Sequence, residues 1–141
     1  MNLFMDAITP MPEPEPFLVM KEFADMLGVL SHPHRLCIIE ELRDGERDVN
    51  SLQLALGINH SGVSQHLSVL RAHRLVAERR QGRHVFYHLP QPQLARWLLD
   101  GMSFLAGSTA ANDHVRSAIE NVRAQWADKP AKRKTDASAA G

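Results

Sequence analysis

From Phe17 onward apolar residues recur three and four positions apart, and Phe17, Met20, Phe23, Ala24, Leu27 and Leu30 form one stripe. That spacing predicts a first helix, with Gly28 near its end. Ser31 or His32 can cap a second helix that has Pro33 at its first position, where the missing N–H costs nothing. Leu36, Ile39 and Leu42, with Ile38 alongside, give it a buried face, and Asp44-Gly45 stops it. Asn50 with Gln53 reads as a variant capping box for a short third helix, Val49 and Leu54 stand at staple spacing, and Gly57 ends it. Asn59 is the expected cap of a fourth helix, flanked by Ile58 and Val63. On that helix Val63, Leu67 and Leu70 share one face, while His60, Ser61, Ser64, Gln65 and Ser68 lie on others. Only about three residues separate the third and fourth helices, the tight joint of a helix-turn-helix.

After Arg74 the period changes from three or four to two. Leu75 and Val76 open a strand, Gln81-Gly82 makes the turn, and Val85, Tyr87 and Leu89 alternate on the return. Pro90 and Pro92 end this hairpin. A fifth helix carries Leu94, Trp97, Leu98, Gly101, Phe104 and Leu105, until Gly107-Ser108-Thr109 interrupts it. A sixth, from around Asn112, sets Val115, Ile119, Val122 and Trp126 on one seam. The sum is a mostly α fold with a small β-hairpin wing: a winged helix-turn-helix of order α1-α2-α3-α4-β-β-α5 with an extra C-terminal helix. Residues 17–106 are expected to form this winged helix-turn-helix domain and 107–127 the C-terminal helix. Residues 1–16, ending in alternating Pro and Glu, and the basic tail 128–141 lack apolar periodicity and are expected to be disordered.

Charge sharpens this picture because its distribution, not its total, is informative. The formal net charge is zero, yet residues 56–90 carry five Lys or Arg against one acid, and residues 1–55 carry four against ten. A phosphate backbone feels the local patch within a Debye length of roughly 8–10 Å. The hairpin arginines therefore suit phosphates, and the small polar residues of the fourth helix suit base edges. Cys37 is the sole cysteine, so one chain can form neither an internal disulfide nor a Cys-rich zinc site. No apolar run approaches the roughly 20 residues that span a bilayer, and MNLFMDAITP lacks the basic start of a secretory signal. A cytoplasmic protein with no membrane partner is expected.

Three segments in order, LSHPHRL, LALGINHSGVSQHLSVLRAHRLV and RRQGRHVFYHL, resemble the ArsR/SmtB family of bacterial winged-helix repressors, over residues 17–106. The resemblance implies a homodimer whose recognition helices enter successive major grooves of a near-palindromic operator. It implies an interface from the first and fifth helices: Phe17, Met20, Phe23, Leu27, Leu94, Trp97, Leu98 and Phe104. The alternative is that these residues pack within one chain. Base contacts carry over to His60, Ser61, Ser64 and Gln65, and Gln65 has the geometry for a bidentate bond to adenine. Arg71, Arg79, Arg80, Arg83 and His84 complete the DNA-binding set, with Arg79, Arg80 and Arg83 on phosphates or in the minor groove. His60 stands where Gln is commoner, and Gly62 where Ala or Thr is usual.

Many members of that family release DNA when a metal or an oxidant binds. Here Asp48 and Asn50 occupy the two positions of the thiolate metal box, and Glu40 stands where the sulfur-sensing subgroup has a cysteine. A third family site uses paired Asp and His residues on the fifth helix, which here holds Asp100 and no histidine; Asp113-His114 falls beyond the glycine break. No cofactor is expected. His32, His34 and Cys37 are the remaining candidate metal ligands, His34 and Cys37 sharing a helix face. The competing reading makes His32 a helix cap and Cys37 a small, partly buried hydrophobe, with His66 and His73 structural or solvent-facing. No phosphate loop, HExxH or nucleophile elbow is present and Cys37 has no positioned base, so no enzymatic activity is expected. A winged-helix protein-interaction module is the alternative function, and would require an exposed apolar groove in place of the arginine-rich wing.

Overall fold

Prolines, glycines and short polar side chains set the element boundaries in the computed structural model, which describes residues 10–107 and 112–127. The expected disorder of residues 1–9 and of the tail 128–141, like the break at Ser108 and Thr109, lies outside the described residues. Helix α1 (Glu15–Leu30) starts two residues before Phe17, because Pro16 fits its first turn and Glu15 meets the positive helix end. Helix α2 (Pro33–Glu41) is capped by His32, whose Nδ1 accepts from the His34 N–H at 3.1 Å. Ser31 instead closes α1, its N–H donating to the Gly28 carbonyl.

The third helix departs from expectation. A strand β1 (Arg47–Asp48) precedes α3 (Val49–Leu56), and Asp48 rather than Asn50 is the cap, its Oδ1 accepting from the Ser51 N–H at 2.8 Å. Pairing of Asp48 with Phe86 in the sheet fixes its carboxylate at the helix start before Asn50 can compete. Leu54 is 85% exposed, so the Val49–Leu54 staple does not form. Gly57 then ends the helix in the left-handed region at φ 67°, a conformation open to glycine without steric cost.

Asn59 caps α4 (His60–Ala72), its Oδ1 accepting from the Gly62 N–H at 2.7 Å. The far end closes through Arg74, at φ 57°, with the Leu75 N–H returning to the Leu70 carbonyl. This closure occupies Leu75, so the strand β2 (Ala77–Gln81) begins later than the alternation suggested. It pairs antiparallel with β3 (His84–His88) from Ala77↔His88 to Gln81↔His84, which leaves Gly82-Arg83, not Gln81-Gly82, as the two-residue loop. Gly82 has φ 60°, and a glycine at the first loop position matches the twist of the flanking strands. β1 adds to the other edge of β3, giving the order β1-β3-β2.

The expected fifth helix is two pieces, α5 (Gln93–Gly101) and α6 (Ser103–Ala106), joined at Met102, whose N–H bonds back to Leu98 and Leu99. In α7 (Asp113–Ala127) only Ile119 is buried; Val122 and Trp126 are half-buried and Val115 is exposed, so the seam is covered along part of its length.

The core lies where α2, α3 and α4 meet. Ile38, Ile39, Leu42, Leu52, Val63, Leu67 and Leu70 are essentially sealed, and Val76, Leu89 and Ala95 extend the cluster to the sheet and α5. Ile58 packs on its rim beside the start of α4. Helix α1 gives this core Val29 and Leu30, with the partly buried Met26 packed against it. Truncating Leu52 to Ala should cost about 2–5 kcal/mol, whereas Leu54→Ala should change stability by less than about 0.5 kcal/mol. Urea unfolding of the two variants tests this assignment of inside and outside.

Candidate nucleic-acid interface

The cap and the core together aim α4. With Val63, Leu67 and Leu70 turned inward, the 3.6-residue period turns His60, Ser61 and Gln65 to the outside, and all three are exposed. Ser64 is half-buried, its Oγ 3.5 Å from His60 Nδ1. The missing methyl at position 62 has a local cause. A Cβ on Gly62 would stand 3.1 Å from Asn59 Oδ1 and 3.5 Å from Ile58 Cδ1, crowding the oxygen that caps the helix.

The wing meets this helix across a polar groove. Asn50 from α3, His60 and Ser64 from α4, and Arg83, His84 and Tyr87 from the hairpin line it together. His60 and Ser64 therefore share this space with the wing tip, whereas Ser61 and Gln65 line an adjacent groove with Arg35 and His66. Of the wing residues, His84 is exposed and stands 6.2 Å from the Phe86 ring.

The five arginines of the segment are not equivalent. Arg79 makes a two-pronged bond to Glu46, Nε to Oε1 at 2.7 Å and Nη2 to Oε2 at 2.8 Å, and also donates to Gln81 Oε1. Its guanidinium lies 5.0 Å from the centre of the Phe86 ring, and the bond to Glu46 raises its pKa. Arg71 pairs with Glu78, and the same carboxylate stands 3.7 Å from the exposed Arg80. Arg83, at the tip, forms no ion pair among the described residues. The count of five bases to one acid missed Glu46, which lies outside the basic segment and reaches it only once the chain is folded.

The candidate metal ligands also regroup. Cys37 is exposed as a residue, and partial desolvation of its thiol, with the nearby charges of Glu41 and Glu40, raises its pKa. His32 and His34 turn instead toward His66 on α4, with ring centroids 4.4 Å and 5.6 Å from that ring. Arg35 Nε donates to His66 Nδ1 at 3.3 Å and Arg35 Nη1 to the Val29 carbonyl at 2.7 Å. Burial lowers the His66 pKa, and His32, Arg35 and His34 lower it further. His66 thus takes part in a cluster that spacing along the chain did not suggest.

The apolar residues expected at an interface are largely on the surface of the single chain. Phe17 is 54% and Phe104 83% exposed, Met20, Phe23, Leu27 and Trp97 are exposed too, and only Leu94 and Leu98 lean on the core. Phe23 meets Trp97 edge to face at 6.0 Å, joining α1 to α5.

Comparison with known proteins bears on the family and the fold. The family profile described as "Bacterial regulatory protein, arsR family" matches residues 32–78. The chain is similar to the HTH-type transcriptional repressor SmtB of Mycobacterium tuberculosis, 36% identical over 92 residues, 65% of this chain and 68% of that protein. Among solved structures it is similar to NolR from Sinorhizobium fredii, with a TM-score of 0.59, 30% identity, and 72% of this chain and 100% of the other covered. It is also similar to the transcriptional repressor BigR from Xylella fastidiosa, with a TM-score of 0.55, 32% identity, and 69% and 95% covered. Motifs, fold and relatives converge, and the chain belongs to the arsR family of bacterial regulatory proteins, on a winged helix-turn-helix fold.

Proposed function

We propose that this DNA-binding transcriptional regulator is a repressor that binds a near-palindromic operator in double-stranded DNA as a homodimer. The observation that carries this reading is the shared polar groove, which sets His60 and Ser64 of the α4 N-terminus against Arg83 at the wing tip, a cation that makes no ion pair among the described residues. His60 and Ser64 in this groove, with Ser61 and Gln65 on the adjoining outer face of α4, read base edges, and the helix dipole favours a phosphate beside the first turn. Arg83, Arg80 and His84 hold the backbone. Arg71 and Arg79 reach DNA only by leaving Glu78 and Glu46, so they contribute less than their charge suggests. The repressor reading is supported by the names of SmtB and BigR. A groove so polar gives little purchase to the apolar surface that a protein-interaction module would bind.

The dimer reading rests on the α1 stripe and Trp97. Bulky apolar residues in a row on one face leave water only if a second copy covers them. A two-fold dimer built this way carries two recognition helices, as half-sites about 34 Å apart require. Among the described residues no helix is long and apolar enough to cross a membrane.

A binding series separates the roles. Arg83→Ala should weaken binding to every duplex and reduce the slope of log K against log salt by about one, while Gln65→Ala should chiefly relax sequence preference. Glu46→Gln frees Arg79, and should tighten binding and steepen that slope by about one unit. If Arg83→Ala altered specificity alone, the roles would be misassigned. For the dimer, sedimentation at micromolar concentration should give twice the chain mass, and Trp97→Glu should halve it; a clean wild-type monomer would sink the dimer.

A further inference from the structure

We propose that His32, His34 and His66 bind a divalent transition-metal ion of the imidazole-preferring class, such as Zn²⁺, Co²⁺ or Ni²⁺, and that the ion bridges α2 to the recognition helix. One ring nitrogen from each of the three lies within 4.8 Å of the others. Metal–nitrogen bonds of about 2.0–2.1 Å in a tetrahedral array need nitrogens roughly 3.3 Å apart, so the rings must close by up to about 1.5 Å. Side-chain rotation supplies such a movement.

The backbone positions are already fixed. His32 is the α2 cap, His34 lies in its first turn, and His66 sits next to the sealed Leu67 on α4. All three rings are half-buried, beside a polar groove lined by Arg35, His60, Ser61, Gln65 and His66, through which an ion can enter. The cluster has three imidazoles and neither thiolate nor carboxylate. Such a donor set selects borderline metals over Mg²⁺ and Ca²⁺.

Occupancy has a defined local consequence. His66 accepts from Arg35 Nε and His32 accepts from the His34 N–H, each at Nδ1. An ion held through Nδ1 of His66 displaces Arg35, which keeps its bond to the Val29 carbonyl, whereas an ion held through Nε2 of His66 and His32 leaves both bonds and the α2 cap in place. Three protein ligands leave the fourth position to water. Because Gln65 precedes His66, an ion here ties the DNA-reading face to α2.

The test uses the untagged full-length chain and needs no DNA, so its outcome is separate from that of the operator reading. Co²⁺ titration followed by visible absorbance should saturate at one ion per chain without a thiolate charge-transfer band, and Zn²⁺ should compete for it. His34→Gln and His66→Gln should each weaken binding by at least about tenfold, the triple His→Gln variant should abolish it, and Cys37→Ser should leave it unchanged. Zn²⁺ should raise the Tm of the wild type and not that of the triple variant. Should the triple variant fail to fold by circular dichroism, His66→Gln alone decides. Absence of saturable one-ion binding, undiminished binding in a folded His66→Gln variant, or a charge-transfer band lost in Cys37→Ser would each overturn the proposal.

Discussion

Burial of Val63, Leu67 and Leu70 against α2 and α3 is the constraint on which the rest depends. One helix with a 3.6-residue period cannot hide those three without turning His60, Ser61 and Gln65 outward. The same packing brings His66 over His32 and His34. It also sets α4 beside the sheet, so the wing meets the helix N-terminus in one groove. Slippage of α4 by one residue would bury polar atoms and expose leucines, which explains why the joint before it is short and doubly fixed, by left-handed Gly57 and by the Asn59 cap.

Electrostatics then refines what packing positions. A segment rich in arginine need not present all of them to a ligand, because folding imports acids from elsewhere. Glu46 arrives from the loop after α2 and holds Arg79, and Glu78 is shared between Arg71 and Arg80. Arg83 stands in the two-residue loop and makes no ion pair with either acid. The wing therefore concentrates its available charge at the tip, nearest the groove.

Helices and wing were legible because their signals are local: a cap, an apolar period, a glycine. What escaped depends on partners distant along the chain. β1 is two residues long and has no period to detect, and only its pairing with Tyr87 and Phe86 makes it a strand. That pairing decided between Asp48 and Asn50 as the cap of α3. The break at Met102 carries no proline and follows Gly101, while the apolar spacing runs across it unchanged. The metal candidates show the limit most plainly. Sequence spacing joined His34 to Cys37, one helical turn away, whereas the fold joins it to His66, a neighbour only after α2 has packed on α4. The apolar period of α1 is equally local, and the exposure of its Phe17, Met20, Phe23 and Leu27 in the single chain is what favours a second copy as their cover.

The most direct test of the central claim, that the α4 N-terminus and the wing tip form one DNA-binding face, is amide chemical-shift mapping of the labelled chain as a mixed-sequence duplex is added. The account predicts that the largest shifts fall at Asn59 to Gln65 and at Gly82 to His84. Shifts concentrated on the apolar stripe of α1 and α5, with α4 and the wing unmoved, would contradict it.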